Sequence, residues 1–444
     1  MSFPRYPSYK PSGVEWLGEV PEHWDVLPCR GIVDERNEKN EGAACQDYLS
    51  LMANVGIIPY EEKGDVGNKK PEDLGKCKLV RKGNFVINSM NYGIGSYGVS
   101  GYDGVCSPVY IVLIPKEEVV RPGFAFRIFE DKTFQSYAQS FGNGILAHRC
   151  AIGWDILKGI GVPVPSSHEQ ERILQFLDHE TAKIDALIAE QQRLIELLQE
   201  KRQAVISHAV TKGLNPHAPM KDSGVEWLGE VPEHWEVGAL GYALSAIGDV
   251  DHYMPPTVAE GVPYVMTGDL EDLASEIDFT ACKQISRNEY HQLCKKIKTS
   301  KGDLIVARYA TIGTVSYVDL DLEFIVSYSC VTIRPKAEKA FGRFLFFCLK
   351  SDSFFQGIRE RINTNTQGNV GIADLKLVKV ALPPIEEQLE ITVFLQTRTE
   401  EMGRVIQSSE AVIDLLQERR SALISAAVTG QIDVRGLVPE AVAA

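Results

Sequence analysis

Six amide and hydroxyl side chains crowd one short stretch of this 444-residue chain: Asn363, Thr364, Asn365, Thr366, Gln367 and Asn369. A planar amide donates and accepts side by side, which matches the major-groove edge of adenine; arginine and lysine match guanine in the same way. Arg308, Tyr309 and Thr311, in "ARYATIG", add a second polar loop nearby in sequence. The first half of the chain offers comparable residues. Asn88, Ser89, Asn91, Tyr92 and Tyr97 lie in "NSMNYGIGSYG", and Asn143, His148 and Arg149 lie in "SFGNGILAHR". Lys69, Lys70, Lys295, Lys296, Lys298 and Lys301 are candidate phosphate contacts. Polar loops are most often simply solvated, so these residues matter only if a frame presents them.

Other chemistry finds no support. "GIGSYG" (Gly93–Gly98) spells GxGxxG, but a dinucleotide site needs a helix next, and turn and strand residues follow. "GDVGNKKP" lacks the GK[ST] end of a phosphate loop, and no GxSxG or HExxH occurs. The nine cysteines stand singly, without CxxC, so neither disulfides nor a metal site is expected. No apolar run approaches the ~18 residues of a membrane span, and the N-terminal stretch has no signal-like core. A binding protein of the reducing cytoplasm is expected, without metal, cofactor or catalytic residues of its own.

Two blocks share the frame that would carry the loops. "RKGNFVIN" parallels "SKGDLIVAR", a Gly-rich polar stretch follows each, then an apolar strand ("VYIVLIP", "CVTIRP") and a helix. A common scaffold with divergent loops is how recognition domains are built.

A second repeat, offset by 218 residues, is helical. "VPVPSSHEQERILQFLD" matches "VALPPIEEQLEITVFLQ", and "LLQEKRQAVISHAVT" matches "LLQERRSALISAAVT". Prolines precede each helix, acids occupy its first turns, and Gly213 and Gly430 follow its end. A seven-residue period predicts a seam of Leu177, Glu180, Ile184, Leu187, Gln191, Leu194, Leu198, Lys201 and Val205 in one helix. Leu395, Arg398, Met402, Val405, Ser409, Val412, Leu416, Arg419 and Leu423 are its counterparts. Parallel pairing would set Lys201 beside Arg419; antiparallel pairing separates them and lets Gln191 meet Ser409. An antiparallel coiled coil of ~60 Å helices is therefore predicted.

The longest verbatim repeat, "SGVEWLGEVPEHW", occurs at residues 12–24 and 223–235. Trp16, Leu17 and Trp24, with Trp227, Leu228 and Trp235, either brace each domain or face a partner met twice. The net charge of −14 sits mostly on this motif and the helices: residues 27–161 are neutral, and residues 238–379 carry −1. Acidity there suits a basic protein partner better than DNA.

The predicted fold is α+β: two mixed α/β target-recognition domains (1–164 and 214–382), two antiparallel coiled-coil helices (165–213 and 383–434), a flexible tail (435–444), and a pseudo-two-fold repeat. Nearly the whole chain resembles the specificity subunits of type I restriction-modification enzymes. The twin "WLGEVPEHW" motifs, the "PSSHEQ" and "PPIEEQ" helix starts, the helix ends and the "KGDLIVAR…TIG" frame carry that resemblance. It implies that each domain reads half of a split double-stranded DNA site, with the helices setting the spacer. It further implies two docked methyltransferase subunits that use S-adenosylmethionine on adenine N6, and motor-nuclease subunits that use ATP and Mg. Two rivals are a non-DNA coiled-coil adaptor with ligand-binding ends and a dinucleotide enzyme built on Gly93–Gly98.

Overall fold

The computed structural model describes residues 3–65, 69–142, 151–362 and 368–437. The chain divides into two compact units, Met1–Gln191 with Ala411–Ala444, and Gln192–Glu410.

In the first unit the repeated motif and the residues just before it form a hairpin, Tyr9–Pro11 against Glu19–Pro21. The strands β1 (Asp25–Pro28), β2 (Val33–Glu35), β3 (Phe85–Asn88), β4 (Tyr97–Val99), β5 (Tyr110–Pro115) and β6 (Gly161–Val164) follow. An antiparallel sheet runs β2–β5–β3–β4, while β6 pairs with β1. Helices α1 (Pro122–Glu130) and α2 (Lys132–Ser140) precede the long α3 (Ser167–Lys212).

The second unit repeats this plan. Its hairpin is Met220–Asp222 with Glu230–Pro232. Its strands are β7 (Glu236–Ala239), β8 (Leu244–Gly248), β9 (Leu304–Ala307), β10 (Val315–Tyr317), β11 (Cys330–Pro335) and β12 (Lys379–Leu382). The sheet order β8–β11–β9–β10 matches the first, and β7 pairs with β12. Helices α4 (Gly342–Leu349), α5 (Asp352–Arg359) and α6 (Ile385–Val428) complete it.

The central strands are apolar without alternation because both sheet faces are covered. Successive side chains point to opposite faces. Phe85, Ile87, Ile111 and Leu113 enter the core against the helices, while Val86, Tyr110 and Val112 pack with Leu49, Leu51 and Ile57 of a separate hairpin. In the second unit Leu304, Val306, Val331 and Ile333 face the helices, and Ile305, Ala307 and Cys330 pack with Val265, Phe324 and Val326. The second cover differs between the units. It is a Leu49–Met52/Gly56–Pro59 hairpin in one and a three-stranded sheet with a parallel pair in the other.

The long helices run antiparallel within each unit. In the first, Ile173, Phe176, Leu177 and Ile184 at the start of α3 share a core with Leu423, Ile424, Ala427 and Val428 at the end of α6. In the second, Ile206, Ala209 and Val210 at the end of α3 share a core with Ile391 and Leu395 at the start of α6.

Four positions of the predicted seam need correction. Leu177, Ile184, Leu395, Met402 and Ser409 are buried, and Gln191, Leu198 and Leu416 are partly so. Leu187, Leu194, Val405 and Val412 are exposed, at 47, 38, 45 and 40%. The intervening line falls one residue later, on buried Thr181 and Thr399 and on partly buried Ile188, Ile195, Ile406 and Ile413. A 3.5-residue repeat accommodates a step of three or four, and the helices take four. The predicted tail also begins in a held conformation. Arg435 pairs with Asp433 at 2.6 Å and lies over the Tyr6 ring.

Candidate nucleic-acid interface

In the second unit β9 delivers Arg308 into a turn in which Ala310 has φ +56°. Arg308 is buried, and four neighbours hold its guanidinium. Nη2 donates to Asp249 Oδ2 (2.5 Å) and His252 Nε2 (2.9 Å), Nε donates to Tyr328 O (3.3 Å), and the Tyr309 ring lies 5.0 Å away. Because a guanidinium can only donate, His252 Nε2 is the acceptor in that contact. His252 also stacks on Tyr328 at 4.8 Å. Tyr309 bridges to Asn369, and Val370 N donates to Arg308 O, which joins this loop to the other predicted one. Exposed Tyr253 and Met254 extend the surface. Arginine among aromatic rings and amides is suited to stacking on bases and reading their edges.

The lysines are less uniform than expected. Lys296 pairs with Asp251 (2.5 Å) and Lys298 with Glu323 (3.7 Å), so their charge is partly compensated. Lys295, Lys301 and Thr311 are exposed. Asn363, Thr364, Asn365, Thr366 and Gln367 lie outside the described residues.

In the first unit Asn88 is buried at the end of β3 and accepts from Met90 N (3.1 Å), shaping the turn that carries Ser89 and Asn91. One predicted contact is corrected. Tyr92 is fully buried, and its hydroxyl donates to Phe129 O; burial raises that phenol far above its ordinary pKa. Tyr97 packs edge-on against Tyr92 and beside Phe85. Both rings support the loop from below; Tyr92 offers DNA no exposed face, while Tyr97 keeps part of its ring accessible. Lys69 is exposed, and Lys70 donates to Gln46 O (3.4 Å). Asn143, His148 and Arg149 lie outside the described residues. Gly93–Gly98 leads into β4, not a helix, so it lacks the dinucleotide-binding context.

The repeated motif is packed inward. Trp24 and Trp235 are 0 and 1% exposed, and Trp16, Leu17 and Leu228 are buried. Trp227 is partly buried. Of the two roles left open, Trp24 and Trp235 take the bracing one, since neither has surface to give a partner. His23 and His234 meet matching glutamates, Glu169 (3.0 Å) and Glu387 (2.7 Å), in the first turns of α3 and α6.

The sequence reading missed Asp249, His252 and Tyr328, which carry no local signal. It also missed Gln170, Gln388, Arg202 and Arg420, which the 218-residue offset could have revealed as identical pairs.

Known proteins share this arrangement. The type I restriction modification DNA specificity domain matches residues 36–198 and 247–406, which together exceed half of the chain. The sequence designated the MjaX type I restriction enzyme specificity subunit of Methanocaldococcus jannaschii is 24% identical over 450 residues, covering 94% of this chain and 96% of the relative. The EcoKI specificity subunit of Escherichia coli K12 is 25% identical over 402 residues, covering 84% and 82%. A chain from a structural study of assembly and conformational transition of the type I restriction-modification system superposes with a TM-score of 0.66, at 15% identity, over 94% of this chain and 99% of that one. With its two matched domains on a shared frame and its two long helices, the chain belongs to the family of type I restriction-modification specificity subunits.

Proposed function

We propose that this chain is the DNA-reading scaffold of a type I complex, each recognition domain reading one half of a bipartite double-stranded site. The observation that carries this reading is the pairing of one strand order with two different outer covers and loop sets. Frames that must dock alike are kept alike, and surfaces that meet different bases diverge. The long helices separate the half-sites by a fixed spacer.

Methylation of adenine N6 belongs to two methyltransferase subunits that bind S-adenosylmethionine. Motor-nuclease subunits, where they join, use ATP and Mg. This chain supplies recognition without catalysis, in the cytoplasm; no described helix is long and apolar enough to cross a membrane. The methyltransferases dock on exposed apolar positions that recur at the same places in both helices: Leu187 and Val405, Leu194 and Val412, Leu197 and Leu415. Such residues lie on one face of a helix and leave apolar surface open to a partner.

Replacing residues 27–161 with those of a relative, and mapping modified adenines in cells carrying the complex, tests this reading. One half of the modified site changes and the other stays. A change in both halves, or in neither, would overturn domain-wise reading.

A further inference from the structure

Each recognition domain is gripped by two side chains that recur 218 residues apart. In the first turn of α3, Gln170 is fully buried. It accepts from Arg121 N (2.8 Å) and donates to Val119 O (3.2 Å) and Pro165 O (2.9 Å). In the first turn of α6, Gln388 is equally buried. It accepts from Phe341 N (2.7 Å) and donates to Lys339 O (2.9 Å) and Pro383 O (2.8 Å). Arg121 and Phe341 cap α1 and α4. Every partner is a backbone atom, so this grip survives any change in the domain's side chains.

The second grip comes from the other helix. Near the end of α6, Arg420 donates to Glu130 (3.0 Å), the last residue of α1, and to Asp185 of α3 (2.9 Å). Near the end of α3, Arg202 donates to Asp272 (3.0 Å), which also holds Lys350 after α4. One turn further, Ser207 Oγ accepts from Asp352 N (2.9 Å) at the start of α5. Its counterpart Ser425 lies beside Asp131 at the start of α2 and favours the charged carboxylate against the stronger opposing effect of burial. The domain side varies; the helix side is identical.

We propose that Gln170 with Arg420, and Gln388 with Arg202, are positioning residues that seat each recognition domain on the helices and so fix the spacing and phase at which the half-sites are read. This rests on the bipartite-site reading above. One base pair displaces a half-site by ~3.4 Å and ~34°, so a domain held rigidly at both grips rejects a spacer one pair too long.

The test uses the full complex on synthetic sites with the parent spacer and spacers one pair longer and shorter. Arg420→Ala and Arg202→Ala are expected to raise modification of the off-length sites at least tenfold relative to the parent site, with unchanged base preference in both halves. Arg420→Lys, which reaches one carboxylate at a time, is expected to fall between. Unrelaxed spacing in both alanine variants, or altered base preference, overturns the proposal. Hydrogen exchange on the chain itself separates this from failure of the functional reading. Arg420→Ala is expected to speed exchange of residues 129–135 at least tenfold while β3 and β5 stay protected. Unchanged exchange overturns the grip even if no split site is modified, and a parent complex that modifies no split site overturns the reading. Where the alanine variant folds poorly, the lysine variant decides, by the same intermediate relaxation.

Discussion

The guanidinium Nη2 of buried Arg308 pairs with the carboxylate Oδ2 of partly buried Asp249, next to Tyr309, which bridges to Asn369 of the other loop. A partly buried carboxylate on a guanidinium occupies the position that a phosphate or a guanine edge would take. Asp249→Asn is expected to release that arginine toward DNA. In the assembled complex, log affinity for nonspecific duplex against log salt should steepen by about one unit, since each neutralised phosphate contributes ~0.9. An unchanged slope would show that Arg308 stays locked without its carboxylate.

The equivalent tryptophans differ in one hydrogen bond. Trp235 Nε1 donates to Glu387 (3.1 Å), whereas Trp24 Nε1 has no partner among the described residues. Trp24→Phe therefore loses packing alone, and Trp235→Phe also loses a bond to a charged group, worth about 1.5–3 kcal/mol. Urea unfolding is expected to show Trp235→Phe as the more destabilised by roughly that margin. Truncating either to alanine costs about 3–5 kcal/mol. Equal losses in the two phenylalanine variants would deny the Glu387 bond any net value.

Particular residues mark how far the sequence was legible. "NFVIN" and "DLIVA" could be read as strands because both faces are buried, which leaves an uninterrupted apolar run. Antiparallel helices were readable from Lys201 and Arg419. The second seam line was not: a heptad written from Leu177 admits Leu187 or Ile188 next, and only packing chooses Ile188. Tyr92 was misjudged for a related reason. It occupies a polar loop, and nothing local says that Phe129 O waits beneath it. Loop composition reports what could reach DNA, while the fold decides which side chains point outward.

The exposed apolar positions give a prediction that separates docking from folding. Leu187→Gln with Val405→Gln removes two apolar side chains from exposed helix positions, so the unfolding midpoint of the free chain should move by less than about 0.5 kcal/mol equivalent. Association with the methyltransferase, followed by size-exclusion chromatography with light scattering, should weaken at least tenfold. Thr181→Gln with Thr399→Gln, placed on the buried line, should reverse the pattern and destabilise the chain. Undiminished association of the first variant would move the docking face elsewhere.

Gly430 and Gly213 end α6 and α3 in the same left-handed conformation, φ +75° and +73°, but at different distances from the matching proline and tryptophan of the repeated motif. The fold needs glycine at both, because an L-residue there costs about 1–2 kcal/mol. A Cβ at Gly213 would sit 3.3 Å from Trp235 Cζ2 and Glu387 Oε1, which small shifts relieve. At Gly430 it would sit 2.4 Å from Pro21 Cδ and 3.0 Å from Trp24 Cζ3, inside a rigid ring and a buried indole. Overpacking of that kind adds about 1–3 kcal/mol. Gly430→Ala is therefore expected to lose about 2–5 kcal/mol and Gly213→Ala about 1–2, measured as shifts in urea midpoint at constant slope. The difference matters for function, because Gly430 fastens the end of α6 to the N-terminal motif through Tyr9, whose hydroxyl donates to Gly430 O (3.1 Å). A loosened end of α6 weakens the seating of the first recognition domain before the second. Gly430→Ala should accordingly impair recognition of one half-site first as temperature rises, and simultaneous loss of both would break the link between this contact and that domain.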